Sequence, residues 1–145
     1  MNGTDSRTPI HLWVVGGLAT LWNAFGALDY LMTQTRNEAY LAHFTDPQRV
    51  YFESFPLWME ATWALGVWGG LVGSLLLLAR SRWAVAAFAV SLAGLAVSTI
   101  YQYVLSTPPE DMTSGTMMAM NLAIWAVAIG LLVYALRMRK RGALR

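Results

Sequence analysis

Of 145 residues, 57% are hydrophobic and only 12% charged, against roughly a quarter charged in soluble globular domains. The mean hydropathy of +0.45 agrees, and runs such as LGVWGGLVGSLLLLA leave no polar face for water, which argues against a soluble bundle. A net charge of +2 without a basic, aromatic-interleaved surface gives no reason to expect nucleic acid as a partner, and the absence of cysteine removes disulfide and thiolate chemistry.

The first apolar stretch, 10–32, exceeds the roughly 20 residues a bilayer crossing needs. Arg7 is the only basic residue before it and no A-x-A-like site follows, so it reads as a membrane helix, not a cleaved signal. Gly16, Ala19, Asn23, Gly26 and Tyr30 recur at a spacing near 3.5 and predict a packing seam. On that seam Asn23 has a structural reading, an amide bonded to a neighbouring helix. Asp29 lies beside the seam, stacked with Trp22, Gly26 and Thr33. It stands toward a helix C-terminus, where the macrodipole disfavours an anion.

The connection 33–56 is too long for a turn and predicts two short helical pieces. In NEAYLAHF, Tyr40, Leu41 and Phe44 share a stripe. TDPQ reads as a capping box, with Thr45 as N-cap, Pro47 in the first turn and Gln48 three residues on. Val50, Tyr51, Phe52 and Phe55 follow, with Arg49 and Glu53 spaced for an i,i+4 pair. This segment is expected to lie as an amphipathic cap across the bundle's outer mouth.

The second span, 57–79, holds Glu60 one turn inside its start, where the dipole favours an anion. It also carries overlapping GxxxG units, Gly66–Gly70 and Gly69–Gly73. A tight turn with Arg80 and Arg82 leads to the third span, 83–105, whose seam runs Ala84, Ala87, Ser91, Gly94, Ser98 and on to Gln102. In STPPEDMTSG, Thr107 and Glu110 stand at capping-box spacing. The fourth span, 116–136, predicts a seam of Ala119, Ala123, Ala126 and Gly130, and a basic tail, 137–145, closes the sequence. Eight basic residues fall on the side of the termini and two, Arg36 and Arg49, on the other. The positive-inside rule then places both termini in the cytoplasm. The expected fold is all-α: a single domain, 1–145, forming an integral membrane four-helix bundle, antiparallel and left-handed.

Antiparallel runs bring Asp29 and Glu60 to nearly the same depth, just below the outer interface. Trp22, Tyr30, Trp63 and Tyr101 supply aromatic walls there, Asn23 and Gln102 polar partners, and Tyr103 and Asn121 lie near. Three readings of such a pocket stand. One is an internal network in which Tyr, Gln, Arg36 or Arg49 hold the carboxylates. Another is recognition of a small polar or cationic solute by carboxylates and aromatic faces, with proton coupling as a variant because burial favours a carboxyl's neutral form. The last is enzyme chemistry, for which two carboxylates are weak evidence. No P-loop, HExxH or G-x-S-x-G pattern is present, and no catalytic role is expected. His11 and His43 fall on opposite sides of the membrane, so neither a bis-histidine haem nor a two-histidine metal site is expected. Met112, Met117, Met118 and Met120 cluster at the fourth span; thioethers can hold copper(I), but packing is their common use. No metal or cofactor is expected.

WNAFGALDYLMT, YLAHFT and FPLWMEATWALGVWGGLVGSLLLLARSRWAV together resemble a family of small bacterial inner-membrane proteins with four predicted helices, some labelled "sugar transporter". The resemblance spans about Trp22 to Tyr103. It implies the four-helix architecture and carries over no established activity. Small multidrug-resistance transporters also have four helices and an intramembrane glutamate, but theirs lies in the first helix, so that likeness is analogy. The functional expectation is a protein of the lipid bilayer that binds or transports a small polar or cationic solute, working as a homo-oligomer. The alternative is a non-catalytic accessory subunit of a larger membrane complex, docked through its glycine faces.

Overall fold

The computed structural model describes residues 7–145; residues 1–6 of the expected domain lie outside them. Four long apolar helices dominate: α1 (Ile10–Gln34), α4 (Leu57–Leu78), α5 (Ala84–Ile100) and α6 (Gly115–Lys140). Each is long and apolar enough to cross a membrane, the third when its helical path is followed to Leu105. Two short helices, α2 (Glu38–Leu41) and α3 (Asp46–Glu53), form the cap between α1 and α4. The helical path of α5 continues as a π-helical turn, Tyr101–Leu105. The fold is therefore an all-α four-helix bundle with a helical cap at one end and the start of α1 and the end of α6 at the other.

Local signals explain the boundaries. The capping box of α3 forms, with Thr45 Oγ1 accepting from the Gln48 amide at 3.4 Å and Gln48 Oε1 from the Thr45 amide at 3.1 Å. The box expected at Thr107 and Glu110 does not. A 3₁₀ turn, Glu110–Thr113, follows Pro109 there, and Ser114 caps α6 instead, accepting from the Met117 amide at 3.4 Å. Proline lacks the backbone donor and already fixes the turn, so the threonine is not needed. Helices α1, α4 and α6 all end in Schellman motifs. In α6 the Gly142 amide donates to Arg139 at 3.1 Å and the Ala143 amide to Met138 at 2.9 Å, with Gly142 at φ +74°. The same left-handed position is held by Arg36 after α1 (φ 53°) and by Arg80 after α4 (φ 58°).

Helix α4 is the hub. Its Gly66, Gly69 and Gly73 face α5, where Ser91 Oγ donates to the Gly66 carbonyl at 2.6 Å and Phe88 lies over Gly73. Gly94 of α5 is buried against the Thr62 carbonyl and the Gly66 backbone. Gly70 turns to the other side and meets Asn23 of α1. The seams of α1 and α5 thus both pack on α4, and its glycine faces are interior, so they do not form the outer docking surface expected of an accessory subunit. The fourth seam is different: Ala119, Ala123, Ala126 and Gly130 are all exposed, and a Cβ on Gly130 would meet nothing within 4 Å.

The packed core lies at the end of the termini. Leu12, Leu77, Ala84, Phe88, Leu131 and Met138 cluster there, and His11 Nδ1 lies 2.5 Å from Tyr134 Oη, joining α1 to α6. The end of the tail packs back onto the bundle. Its Ala143 and Leu144 are buried in the core, while the Arg82 amide donates to Arg145 O at 2.8 Å and the Arg145 amide to Arg80 O at 2.7 Å. Arg80 Nε adds a bond to Ala143 O at 3.1 Å. Toward the cap the bundle loosens, and residues 115–120 of α6 are exposed.

Candidate functional site

That loosening leaves a cavity of about 730 Å³ between α6 and the other three long helices. It reaches from the aromatic cap (Tyr51, Phe52, Phe55) down to Phe88 and Leu131 at the packed end. On the α5 side it is closed by contacts to α6: Trp125 Nε1 donates to Thr99 Oγ1 at 3.3 Å, and Asn121 Nδ2 to Tyr103 Oη at 3.3 Å. On the α1 side it opens sideways. Phe25 and Met120 both line it, yet are 72% and 51% exposed. A molecule dissolved in the apolar layer around the helices can therefore reach the cavity without crossing the cap.

The lining is mainly apolar and aromatic, with Trp22, Phe25, Phe52, Phe55 and Trp63, and with methionines from three elements, Met59, Met112, Met117 and Met120. Unbranched thioethers adapt to irregular ligands. Asp29 is the one formally charged residue among the lining residues; Asn23, Gln102 and Asn121 are its amides.

Each polar group has a local reason for its place. Asn23 Nδ2 donates to Ala19 O at 2.9 Å and to Ser74 Oγ at 3.0 Å, and Ser74 in turn donates to Gly70 O at 2.8 Å. This polar chain staples α1 to α4. Gln102 sits in the π turn, which ends at Ser106: the Ser106 hydroxyl donates back to Tyr101 O at 2.9 Å and lies 2.7 Å from Tyr51 Oη of the cap. Such turns often mark functional segments. Asp29 is held by the cap, with Tyr40 Oη of α2 donating to its Oδ1. That bond supplies the partner which helix position and dipole left unexplained. The Tyr40 phenol is pushed up to about 12 by burial first, then by its bond to the Asp29 carboxylate and the negative charge there. Burial also raises Tyr51, against the opposing effect of its bond to Ser106.

The expected pocket is only partly assembled. Trp22, Asn23, Asp29, Trp63 and Gln102 share the cavity. Tyr30 does not line it; its ring packs edge-on against Trp63 at 5.0 Å. Tyr101 is likewise turned away, edge-on to Phe55 at 5.5 Å and Trp58 at 5.4 Å. Glu60 does not join Asp29. It lines a separate small concavity with Arg36, Arg49 and Glu53, between the cap and the ends of α1 and α4. Arg49 and Glu53 share that concavity, yet no ion pair closes within 4.0 Å among the described residues. The methionines and Phe25 were not anticipated as lining; the run of methionines opening α6 was the available signal.

No family model, curated protein or solved structure matches this chain.

Proposed function

We propose that this integral membrane protein binds, and carries across or within the bilayer, an apolar molecule bearing one positive charge. The observation that carries the reading is the single carboxylate of the cavity. Asp29 Oδ1 is taken by Tyr40, Oδ2 has no protein donor among the described residues, and the walls around it are aromatic. Carboxylate and ring faces together favour a cation, while the volume and the remaining lining favour an apolar body. The sideways opening supports entry from the membrane. A bacterial inner membrane with both termini cytoplasmic is supported by the eight-to-two division of basic residues and by the resemblance drawn from the sequence.

The test is quenching of intrinsic tryptophan fluorescence, since Trp22 and Trp63 line the cavity. Purified protein is titrated with tetraphenylphosphonium and with its neutral isostere tetraphenylmethane. The cation should bind more tightly than the isostere, and Asp29→Asn should weaken the cation about tenfold while leaving the isostere unchanged, a loss of roughly 1.4 kcal/mol. Equal binding of the two probes, or indifference of the cation to Asp29→Asn, would sink the proposal. Proteoliposome uptake then separates binding from transport.

A second reading, a homo-oligomer or a subunit of a larger complex, is favoured by the outward row Ala119, Ala123, Ala126 and Gly130. Small residues let helices approach closely in lipid. Ala126→Leu should weaken self-association or co-purification of a partner without unfolding the bundle; an Ala126→Leu protein that assembles like wild type rules this surface out.

A further inference from the structure

The small concavity holding Glu60 measures about 130 Å³ and lies between the cap and the ends of α1 and α4. It shares only Phe52 with the large cavity. Four charged side chains converge on it: Arg36 just past α1, Arg49 and Glu53 on α3, and Glu60 in the first turn of α4. Opposite charges gathered round one small space ordinarily neutralise each other. Here they close no ion pair within 4.0 Å among the described residues.

Arg36 adds a separate observation. It occupies the left-handed position that ends α1, at φ 53°, where glycine is the sterically cheap residue. The other arginine in that conformation, Arg80, uses its side chain internally, donating from Nε to Ala143 O at 3.1 Å. The Arg36 guanidinium has no such acceptor among the described residues, and Arg36 is one of the residues that line the concavity.

A simple anion here would face two glutamates, and a simple cation two arginines. A ligand with both charges, separated by a short linker, satisfies all four. We propose that the concavity binds a small zwitterion, its acid group on Arg36 and Arg49 and its ammonium group on Glu53 and Glu60, with the Phe52 ring beside the ammonium. Guanidinium forks suit phosphate and carboxylate oxygens, and an ammonium gains from both carboxylates and a ring face. The space is well below the roughly 300–1,000 Å³ of drug-sized sites, which limits the ligand to a few heavy atoms, on the scale of phosphoethanolamine. That chemistry reaches the site either as the head group of a phosphatidylethanolamine lipid or as a free solute.

The experiment uses the full chain in two settings. In detergent, thermal stability is followed with phosphoethanolamine, inorganic phosphate and ethylamine as separate probes. In nanodiscs, retention of phosphatidylethanolamine is compared with phosphatidylglycerol by native mass spectrometry. Stabilisation by phosphoethanolamine beyond that by phosphate or ethylamine identifies a free solute, and selective retention of the lipid identifies a head group; either supports the proposal. Arg36→Gly is the decisive variant, because glycine suits the backbone there and the protein should fold at least as well. It should lose at least tenfold in affinity, as should Glu60→Gln. The proposal is overturned if neither zwitterion is preferred over its single-charge counterparts, or if Arg36→Gly binds like wild type.

Discussion

Gly94→Ala puts the packing of α4 on α5 to a quantitative test. A Cβ at position 94 would stand 2.6 Å from the Thr62 carbonyl oxygen and 2.7 Å from the Gly66 nitrogen, both backbone atoms that no rotamer change can move. Reaching the 3.4 Å at which ordinary contact begins displaces the helices by about 0.8 Å. That movement stretches the Ser91 Oγ to Gly66 O bond from 2.6 Å toward the limit of hydrogen bonding. Overpacking of this kind costs roughly 1–3 kcal/mol, and an interhelical bond contributes about 0.6 kcal/mol. The better helix propensity of alanine offsets about 1 kcal/mol. The net expectation is a destabilisation of about 0.6–2.6 kcal/mol. Gly130→Ala is the matched control, because its Cβ meets nothing within 4 Å; it should be neutral or stabilising by up to about 1 kcal/mol. Reversible unfolding in mixed micelles, followed by circular dichroism, measures both. Equal stability of the two variants would refute the close approach of α5 to α4.

Three further outcomes are expected. Asn23 and Gly70 are coupled, since a Cβ at position 70 would collide with the Asn23 amide: Gly70→Ala should be destabilising alone and nearly neutral in an Asn23→Ala background, with a coupling energy of roughly 1 kcal/mol in a double-mutant cycle. The Tyr40 phenol, raised from 10.0 to about 12, contributes stability that is complete below pH 10 and is lost as the pH climbs through 12; ultraviolet difference titration should show a late phenol that disappears in Tyr40→Phe. Gly142→Val forces a branched residue into a left-handed backbone at φ +74°, at a cost of about 1–2 kcal/mol, and should speed hydrogen exchange at the Arg82 and Arg145 amides, which hold the tail to the α4–α5 turn.

Four mainly apolar runs, each as long as a bilayer is thick, point to the all-α membrane class before any packing is known, because a single helix satisfies its own backbone without water while runs of this length exceed a barrel strand. The cap was equally legible: Thr45, Pro47 and Gln48 act through contacts within one turn, so their geometry is local. The packing seams of α1 and α5 were read correctly because small residues at helical spacing allow close approach, and α4 is the partner that uses it. Which seam finds a partner is not local information. The row on α6 has the same pattern as the other two and points outward. Which face each carboxylate takes did not follow from counting residues: Asp29 lines the large cavity and Glu60 a separate concavity between the cap and the ends of α1 and α4. Only tertiary structure decides that, because the rotation of each helix is set by what its neighbours bury. The partner of Asp29, a tyrosine eleven residues later on another helix, exists only once the cap has folded back over the bundle.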